Sequence, residues 1–364
     1  MKLALKLAGR GIGRVEPNPA VGCVIVKDGR IIGRGWHKKF GGPHAEINAI
    51  EDCKSSGAEA AGAVMYVSLE PCCHRGKTGP CTDAIISAGL AKVVAAAVDP
   101  SPYAGGKGIR SLRDAGIEVE TGVCEEEAKL LNAAFMKFAA TGKCWVLLKW
   151  AQSIDGKLAY ADSAKGRWIS NEESRKDAHK LRRRVQAILV GVNTVIADDP
   201  LLTARPGSGK AATRIVLDGR LRLPLDCKLL STAKKTPVIV ATSQQAIQAN
   251  PQAAEKIAGK GAELLAMATG QGRCDIGFVL DELSGRGISQ LLVEGGPTVI
   301  ASFLKQRLAD EVCVYIAPRI LGGCGASDVS QSMAELTVGF GLHYVDIKRF
   351  GEDVRITGLL KDGL

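Results

Sequence analysis

The residues of this chain best equipped for chemistry are a histidine, a glutamate and two cysteines. His44-Ala45-Glu46 is followed by Pro71-Cys72, and Cys81 comes eight intervening residues later. An imidazole nitrogen and two thiolates occupy three corners of a tetrahedron around a zinc ion. The fourth corner is left for a water whose pKa the metal lowers toward about 7. Glu46 lies two residues from the imidazole and is not itself a ligand. It can take the water's proton and return it to a leaving amine, the proton traffic of a hydrolytic deamination. A structural zinc site closes with four protein ligands and has no need of that carboxylate. Taken singly, His44 reads as a helix cap and the cysteines as small buried residues. Their joint order is what points to a metal.

The elements around these residues are legible from their punctuation. Gly42-Pro43 precede a helix starting near His44, and Pro71 and Pro80 each stand directly before a cysteine, where helix starts are favoured. Helix N-termini also stabilise thiolates. Apolar runs at 21–27, 63–69 and 92–98 alternate with helix-like stretches from Ala45 and Cys81, the rhythm of a layered α/β sheet with helices on both faces. The run 125–142, EEEAKLLNAAFMKFAATG, reads as one amphipathic helix stopping at Gly142. A fresh strand pattern opens at Cys144, which divides the chain into domains 1–143 and 144–364. The second half is again α/β. Its strand candidates are AILVGVNTV, RIVLDG, PVIVAT, GFVL, SQLLVEGG and EVCVYIAP, with PGSGKAAT at 206–213 a flexible connection. No GxGxxG follows a strand and opens a helix, so the usual dinucleotide fingerprint is absent.

Bulk properties set the frame. A chain of 364 residues with 46% apolar composition supports two domains with separate cores. No apolar run approaches the ~20 residues of a membrane span, and the N-terminal segment is interrupted by charge and glycine too early for a secretory signal, so the expected compartment is the cytoplasm. Eleven cysteines, odd in number and unevenly placed, fit a reducing compartment with some of them serving a metal. The net charge of +10 is spread over both halves and suits anionic small substrates. Only 4% of residues are aromatic, too few for a base-stacking platform, so neither nucleic acid nor membrane is the expected partner.

The long loop LEPCCHRGKTGPCTDAII, with PNPAVGCVIVKDGRIIGRGWH upstream, resembles the bifunctional deaminase/reductase family of riboflavin biosynthesis, and the resemblance covers essentially the whole chain. It implies a cytidine-deaminase-like α/β/α layered domain whose zinc ligands are His44, Cys72 and Cys81, with Glu46 as proton shuttle. Asn18 and His37 would contact the substrate, His74 and Lys77 would hold its base and phosphate, and Asp99 would lie nearby. The chain departs from the family at Gly79, where a second proline is usual, and at Cys73, where serine is common. Neither change removes a ligand.

From Lys149 onward, LKWAQSIDGKLA, GRWIS, HKLRRRVQAILVGVNTVIADDPLLTAR and LLVEGGPTVIASFL resemble the reductase half of that family, whose α/β fold is similar to dihydrofolate reductase. That similarity accounts for the missing fingerprint. The implied chemistry is zinc-dependent deamination of a phosphorylated diaminopyrimidine, then NADPH-dependent reduction of its ribosyl chain to ribityl. Lys149, Asp199 and Glu294 would fix the reacting end of the substrate or handle its proton, and Arg182 and Arg205 would clamp its phosphate. Trp168, Ser170 and Leu202 would lie along the substrate, with Ala151, Thr194 and Asp198 along the cofactor. The turn Glu294-Gly295-Gly296-Pro297 would cradle cofactor phosphate on exposed N–H groups. The family also implies a homo-oligomer, a dimer or larger. A deaminase acting on tRNA or free nucleosides shares the zinc chemistry but leaves the second half of the chain without a purpose.

Overall fold

Val93, Val94 and Ala95 are buried in succession, the pattern of a parallel strand covered on both faces. Around this strand the computed structural model builds the first of two units, Met1–Lys143, the second being Cys144–Gly363. The structure describes all residues except 75–78, 163–167, 206–210, 269–271, 273, 329–331, 335, 337–338 and 361–364. The chain runs through α1 (Lys2–Ala8), β1 (Gly22–Lys27), β2 (Arg30–Trp36), α2 (Ala45–Ser55), β3 (Val64–Val67) and α3 (Cys81–Ser87). It continues with β4 (Lys92–Ala95), α4 (Lys107–Asp114), β5 (Glu118–Thr121), α5 (Glu125–Leu131) and α6 (Ala133–Thr141). The strands lie in the order β2-β1-β3-β4-β5. β1 is antiparallel to β2 and β3, and β3, β4 and β5 are parallel.

Backbone contact seats α2 on this sheet. A Cβ on Gly35 would lie 2.2 Å from the Ala45 carbonyl oxygen and 2.4 Å from the Ala49 nitrogen, and one on Gly33 would lie 2.4 Å from the Ala49 carbonyl. Only glycine permits so close an approach of helix and strand. Cys23, Ile25, Ala49 and Met65 then fill the space between the layers.

The run 125–142 is not one helix. Asn132, at φ −113°, separates α5 from α6 because its side chain is committed elsewhere: its amide accepts from the Ala20 N–H at 2.8 Å and donates to the Ala20 carbonyl at 2.9 Å. Gly142 ends α6 in the left-handed conformation, as expected.

The second unit begins with β6 (Trp145–Ser153), β7 (Lys157–Tyr160), α7 (Glu172–Arg184), β8 (Ala187–Gly191), α8 (Val192–Asp198), β9 (Thr213–Leu217), α9 (Lys228–Ser231) and β10 (Val238–Ser243). It continues with α10 (Gln244–Ala249), α11 (Pro251–Gly259), β11 (Glu263–Met267), α12 (Ile276–Gly285), β12 (Gln290–Val293) and α13 (Pro297–Lys305). β13 (Glu311–Ala317), β14 (Gly325–Asp328), β15 (His343–Phe350) and β16 (Asp353–Leu359) complete it. Nine strands form one sheet in the order β11-β10-β9-β8-β12-β6-β13-β16-β15, with β14 and β7 a separate pair. The strands from β11 to β13 are parallel, and β16 and β15 add an antiparallel edge. Two apolar layers cover the sheet, one around Leu148, Leu291 and Phe303, the other around Ile188, Leu292 and Leu229. This is the layered α/β arrangement expected of the second half.

Two strand expectations fail here. AILVGVNTV is a strand only to Gly191, where α8 begins. GFVL lies inside α12, whose cap Asp275 accepts from the Phe278 N–H at 3.0 Å. A short apolar run does not distinguish a buried strand from a buried helix turn, and the cap decides it. Part of the predicted flexible connection, 206–210, lies outside the described residues. No helix among the described residues is long and apolar enough to cross a membrane.

Gly35→Ala is expected to lower stability by ~1–3 kcal/mol, since the added methyl meets helix backbone rather than a movable side chain. A urea denaturation midpoint equal to the parent's would show that α2 does not rest on β2 in this way.

Candidate active sites

In the first unit, strand and helix ends bring the predicted residues together. His44 is the cap residue of α2, Cys81 is the first residue of α3, and Cys72 lies in the segment after β3. The expectation that Cys72 also opens a helix is not met. The Nδ1 of His44 lies 3.3 Å from the Cys81 Sγ and 3.5 Å from the Cys72 Sγ, and one ligand atom from each residue falls within 4.8 Å of the others. The hydrogen bond with Cys81 and the nearby His44 lower the pKa of the Cys72 thiol. The Cys81 thiol is pushed up by the same bond and by burial. Hydrogen bonding to Cys72 raises the pKa of His44.

Glu46, in the first turn of α2, is buried, and its Oε2 has no hydrogen-bond partner among the described residues. Burial raises its carboxyl to about 7. A buried polar atom without a partner costs about 1–3 kcal/mol unless something else satisfies it. A nitrogen, two sulfurs and a waiting carboxylate fit a catalytic zinc ion with one open position. Cys73 falls outside this donor group.

The cluster opens on a cavity of about 330 Å³. Asn18, His37, His74 and Asp99 all line it, whereas Lys77 lies outside the described residues. Burial lowers the pKa of His37, and its Nδ1 meets the Pro43 carbonyl oxygen at 3.0 Å. With the ring neutral, Nδ1–H donates there and Nε2 accepts from the Asn18 amide at 3.4 Å. Burial raises the Asp99 carboxyl.

Glu70 and Phe135 are among the lining residues that escaped the sequence reading. The buried Glu70 carboxylate accepts from the backbone N–H groups of Asp99, Gly106 and Ile109 at 3.0 to 3.1 Å, fixing the segment that carries Asp99. Its place beside Pro71-Cys72 was the available signal. Phe135 arrives from α6, anchored by Asn132, and no local pattern announces it.

The second unit gathers Lys149 on β6, Arg182 on α7 and Glu294 just after β12. Arg182 grips Glu294 through Nε at 2.8 Å and Nη2 at 2.6 Å, and its Nη1 donates to the Thr203 carbonyl at 3.0 Å. Three of its five N–H donors are thereby committed, leaving two for the expected phosphate. Burial by itself would push the Glu294 carboxyl up. Arg182 and, after it, Lys149 outweigh that and hold it at about 2. Glu294 therefore remains a carboxylate near neutral pH, which removes it as a proton donor.

The Lys149 ammonium sits 5.6 Å over the ring of Tyr315, whose hydroxyl donates to Asp177 at 2.9 Å. Arg355 donates to the same carboxylate at 2.6 Å, tying β16 to α7. The Asp199 carboxylate meets Lys228 instead of Lys149, accepting from its backbone N–H at 2.8 Å and pairing with its Nζ at 3.2 Å. These contacts tie Asp199 to the start of α9. Arg205 is exposed and its N–H donates to His179 at 3.2 Å. Trp168 is 54% exposed beneath the Arg175 guanidinium, which also donates to the Ser170 carbonyl. Leu202 is buried in a left-handed conformation, and Ala151 is paired with Tyr315 across the sheet.

A second cavity, of about 510 Å³, lies between the end of β8 and the start of α13. Gly191 donates to the Gly295 carbonyl at 2.9 Å, and a Cβ on Gly191 would lie 2.9 Å from the Val299 side chain. Gly296 caps α13 with Pro297 at its first position, and a Cβ on Gly296 would lie 3.3 Å from the Thr194 Oγ1. A floor without side chains at the start of a helix leaves room for the phosphates of a dinucleotide. Asp198 is exposed at the end of α8.

Comparison with known proteins follows the same division. A family model described as the RibD C-terminal domain matches residues 144–356, and one described as the cytidine and deoxycytidylate deaminase zinc-binding region matches residues 1–97. The chain is 44% identical over 357 residues to the riboflavin biosynthesis protein RibD of Aquifex aeolicus, covering 98% of this chain and 96% of that protein. It is 41% identical to the Escherichia coli protein of the same name over 88% of each chain. Among solved structures, Acinetobacter baumannii RibD superposes with a TM-score of 0.83 at 35% identity, covering 99% of this chain and 98% of the other. A diaminohydroxyphosphoribosylaminopyrimidine deaminase/5-amino-6-(5-phosphoribosylamino)uracil reductase from Thermotoga maritima also gives a TM-score of 0.83, at 36% identity, with coverage of 99% and 97%.

Arg182→Met strands a buried carboxylate and is expected to cost ~3–5 kcal/mol in chemical denaturation at neutral pH. In the parent, the folded Glu294 carboxyl titrates at about 2 against an ordinary value of 4.5. Its contribution to stability is therefore complete above pH 4.5 and is lost as the pH falls toward 2. The Arg182→Met variant lacks this acid loss, so the gap between the two proteins narrows on acidification. A gap that stays constant would refute the pairing.

Proposed function

The chain belongs to the RibD family, the bifunctional deaminase and reductase enzymes of riboflavin biosynthesis, and from that premise we propose a role for each of its units. Met1–Lys143 carries out the deamination of a diaminopyrimidine ribosylamino phosphate. The unit from Cys144 onward reduces the deaminated product to its ribityl form with NADPH. The observation that carries this reading is the meeting of His44, Cys72 and Cys81 beside the buried, unpartnered Glu46 oxygen at the head of one cavity.

His44, Cys72 and Cys81 would hold the zinc ion, which when bound polarises the attacking water. Glu46 takes a proton from that water and returns it to the departing amine, so that water adds and ammonia leaves. The pyrimidine lies in the cavity against Asn18 and His37, whose fixed tautomer presents an acceptor nitrogen. His74 and Asp99 hold its polar edge. In the second unit the floor formed by Gly295, Gly296 and Pro297 binds cofactor phosphate, with Thr194, Ala151 and Asp198 along the cofactor. NADPH supplies a hydride to the sugar carbon in its open imine form. Lys149 is placed to hold or donate a proton at the sugar, and the permanent anion of Glu294 keeps its ammonium oriented. Trp168, Ser170, Leu202 and Arg205 border the substrate, Arg205 toward its phosphate.

The eleven cysteines are all free, which supports a reducing cytoplasmic setting. We infer a homo-oligomer whose partner is a phosphorylated small molecule rather than nucleic acid.

Glu46→Gln is expected to retain zinc and lose ammonia release by at least a hundredfold, while still reducing supplied deaminated product. Loss of both activities in a folded, zinc-loaded variant would defeat the assignment of separate sites. Lys149→Ala is expected to leave ammonia release intact and to abolish NADPH oxidation, followed at the absorbance of the reduced cofactor. An equal deaminase defect would count against this division.

A further inference from the structure

Phe135 lines the cavity of the first unit and has no part in the roles above. It is half-buried against a cluster that contains Leu69, Ala97, Ala128 and Met136, with Val21 packed on the same cluster. Leu69 and Val21 also line the cavity, so the three side chains form one apolar wall. The polar lining groups, Asn18, His37, His74 and Asp99, come instead from segments between helices and strands.

The position of the Phe135 ring is set by backbone. Phe135 is the third residue of α6, and Asn132, which precedes that helix, bonds the Ala20 backbone in both directions, at 2.8 and 2.9 Å. Asn132 and Ala20 are 6% and 4% exposed, so water does not compete for these bonds. The Met136 N–H donates to the Asn132 carbonyl at 2.9 Å, which carries the anchor into the first turn of α6. Ala20 follows Asn18 and Pro19, both of which line the cavity. The Asn132 amide thereby fixes the aromatic ring relative to the segment that presents Asn18. Phe40, the other phenylalanine of the lining, lies on the loop before α2 and is 46% exposed.

A pyrimidine carries hydrogen-bonding groups around its edge and none on its faces. The four polar residues can satisfy the edge. The faces gain from apolar contact, and an aromatic neighbour adds offset or edge-to-face attraction to the area buried. We propose that Phe135 contacts the substrate of the deaminase unit, its ring packing against the pyrimidine and selecting a flat heterocycle. This rests on the reading of Met1–Lys143 as the deaminase.

The test compares full-length, zinc-loaded parent with Phe135→Ala and Phe135→Leu, by the kinetics of ammonia release. Calorimetric binding of the diaminopyrimidine ribosylamino phosphate is measured for the same changes in the Glu46→Gln background, where the substrate is not consumed. Zinc content and reduction of supplied deaminated product are the folding controls for the two units. Phe135→Ala is expected to raise KM about tenfold or more with kcat changed less than threefold, and to weaken binding by a similar factor. Phe135→Leu keeps most of the apolar volume without the flat ring and is expected to raise KM about threefold. If Phe135→Ala loads less zinc than the parent, Phe135→Leu decides. Unchanged KM and affinity, or a loss confined to kcat, would overturn the contact, and a leucine variant equal to the parent would overturn the role of the aromatic ring. All of these leave the deaminase reading standing. Parent protein that releases no ammonia would overturn that reading and the proposal with it.

Discussion

The close seating of α2 on the β1–β2 hairpin is the contact on which the deaminase site depends. Gly33 and Gly35 bring helix backbone within reach of strand backbone, and the first turn of α2 is thereby fixed in depth and direction. His44 at the cap and Glu46 two residues later then enter the space occupied by Cys72 and Cys81. Burial of Glu46 follows from this seating, because the sheet lies behind it. A carboxylate oxygen buried without a partner is costly in a folded protein and is made good only when a proton or a ligand arrives. The site carries that cost in advance of the reaction.

In the second unit the corresponding fixed element is a charge pair. Arg182 and Glu294 join α7 to the end of β12, and the pair is stable only as a pair, since either ion alone would be stranded away from water. Because Arg182 and Lys149 keep Glu294 ionised, the electrostatics of the site are set before substrate binds. The Asp177 carboxylate, shared by Tyr315 and Arg355, holds the aromatic ring over which the Lys149 ammonium sits. In the role proposed for this unit, proton handling would centre on Lys149, with Glu294 as the charge beside it. Gly191 and Gly296 act at the start of α13 as Gly33 and Gly35 act under α2, by letting neighbouring atoms approach where a side chain would intrude.

The sequence by itself determined the composition of the metal site and the class of fold. His44, Cys72 and Cys81 are chemically distinctive, and Glu46 is placed by its spacing within one helix turn, so type and order sufficed. The α/β rhythm and the opening of α13 after β12 were likewise legible, because period and punctuation are local properties. Local reading failed where a side chain was claimed by a distant partner. Asn132 broke a continuous amphipathic run because the Ala20 backbone holds its amide, and the apolar GFVL became helix through the Asp275 cap. Tertiary structure alone decided that Arg182 faces Glu294, that Asp199 faces Lys228, and that Glu70 and Phe135 border the deaminase cavity. Those outcomes depend on which charges and donors meet after the chain has closed on itself, and spacing along the chain carries no record of such meetings.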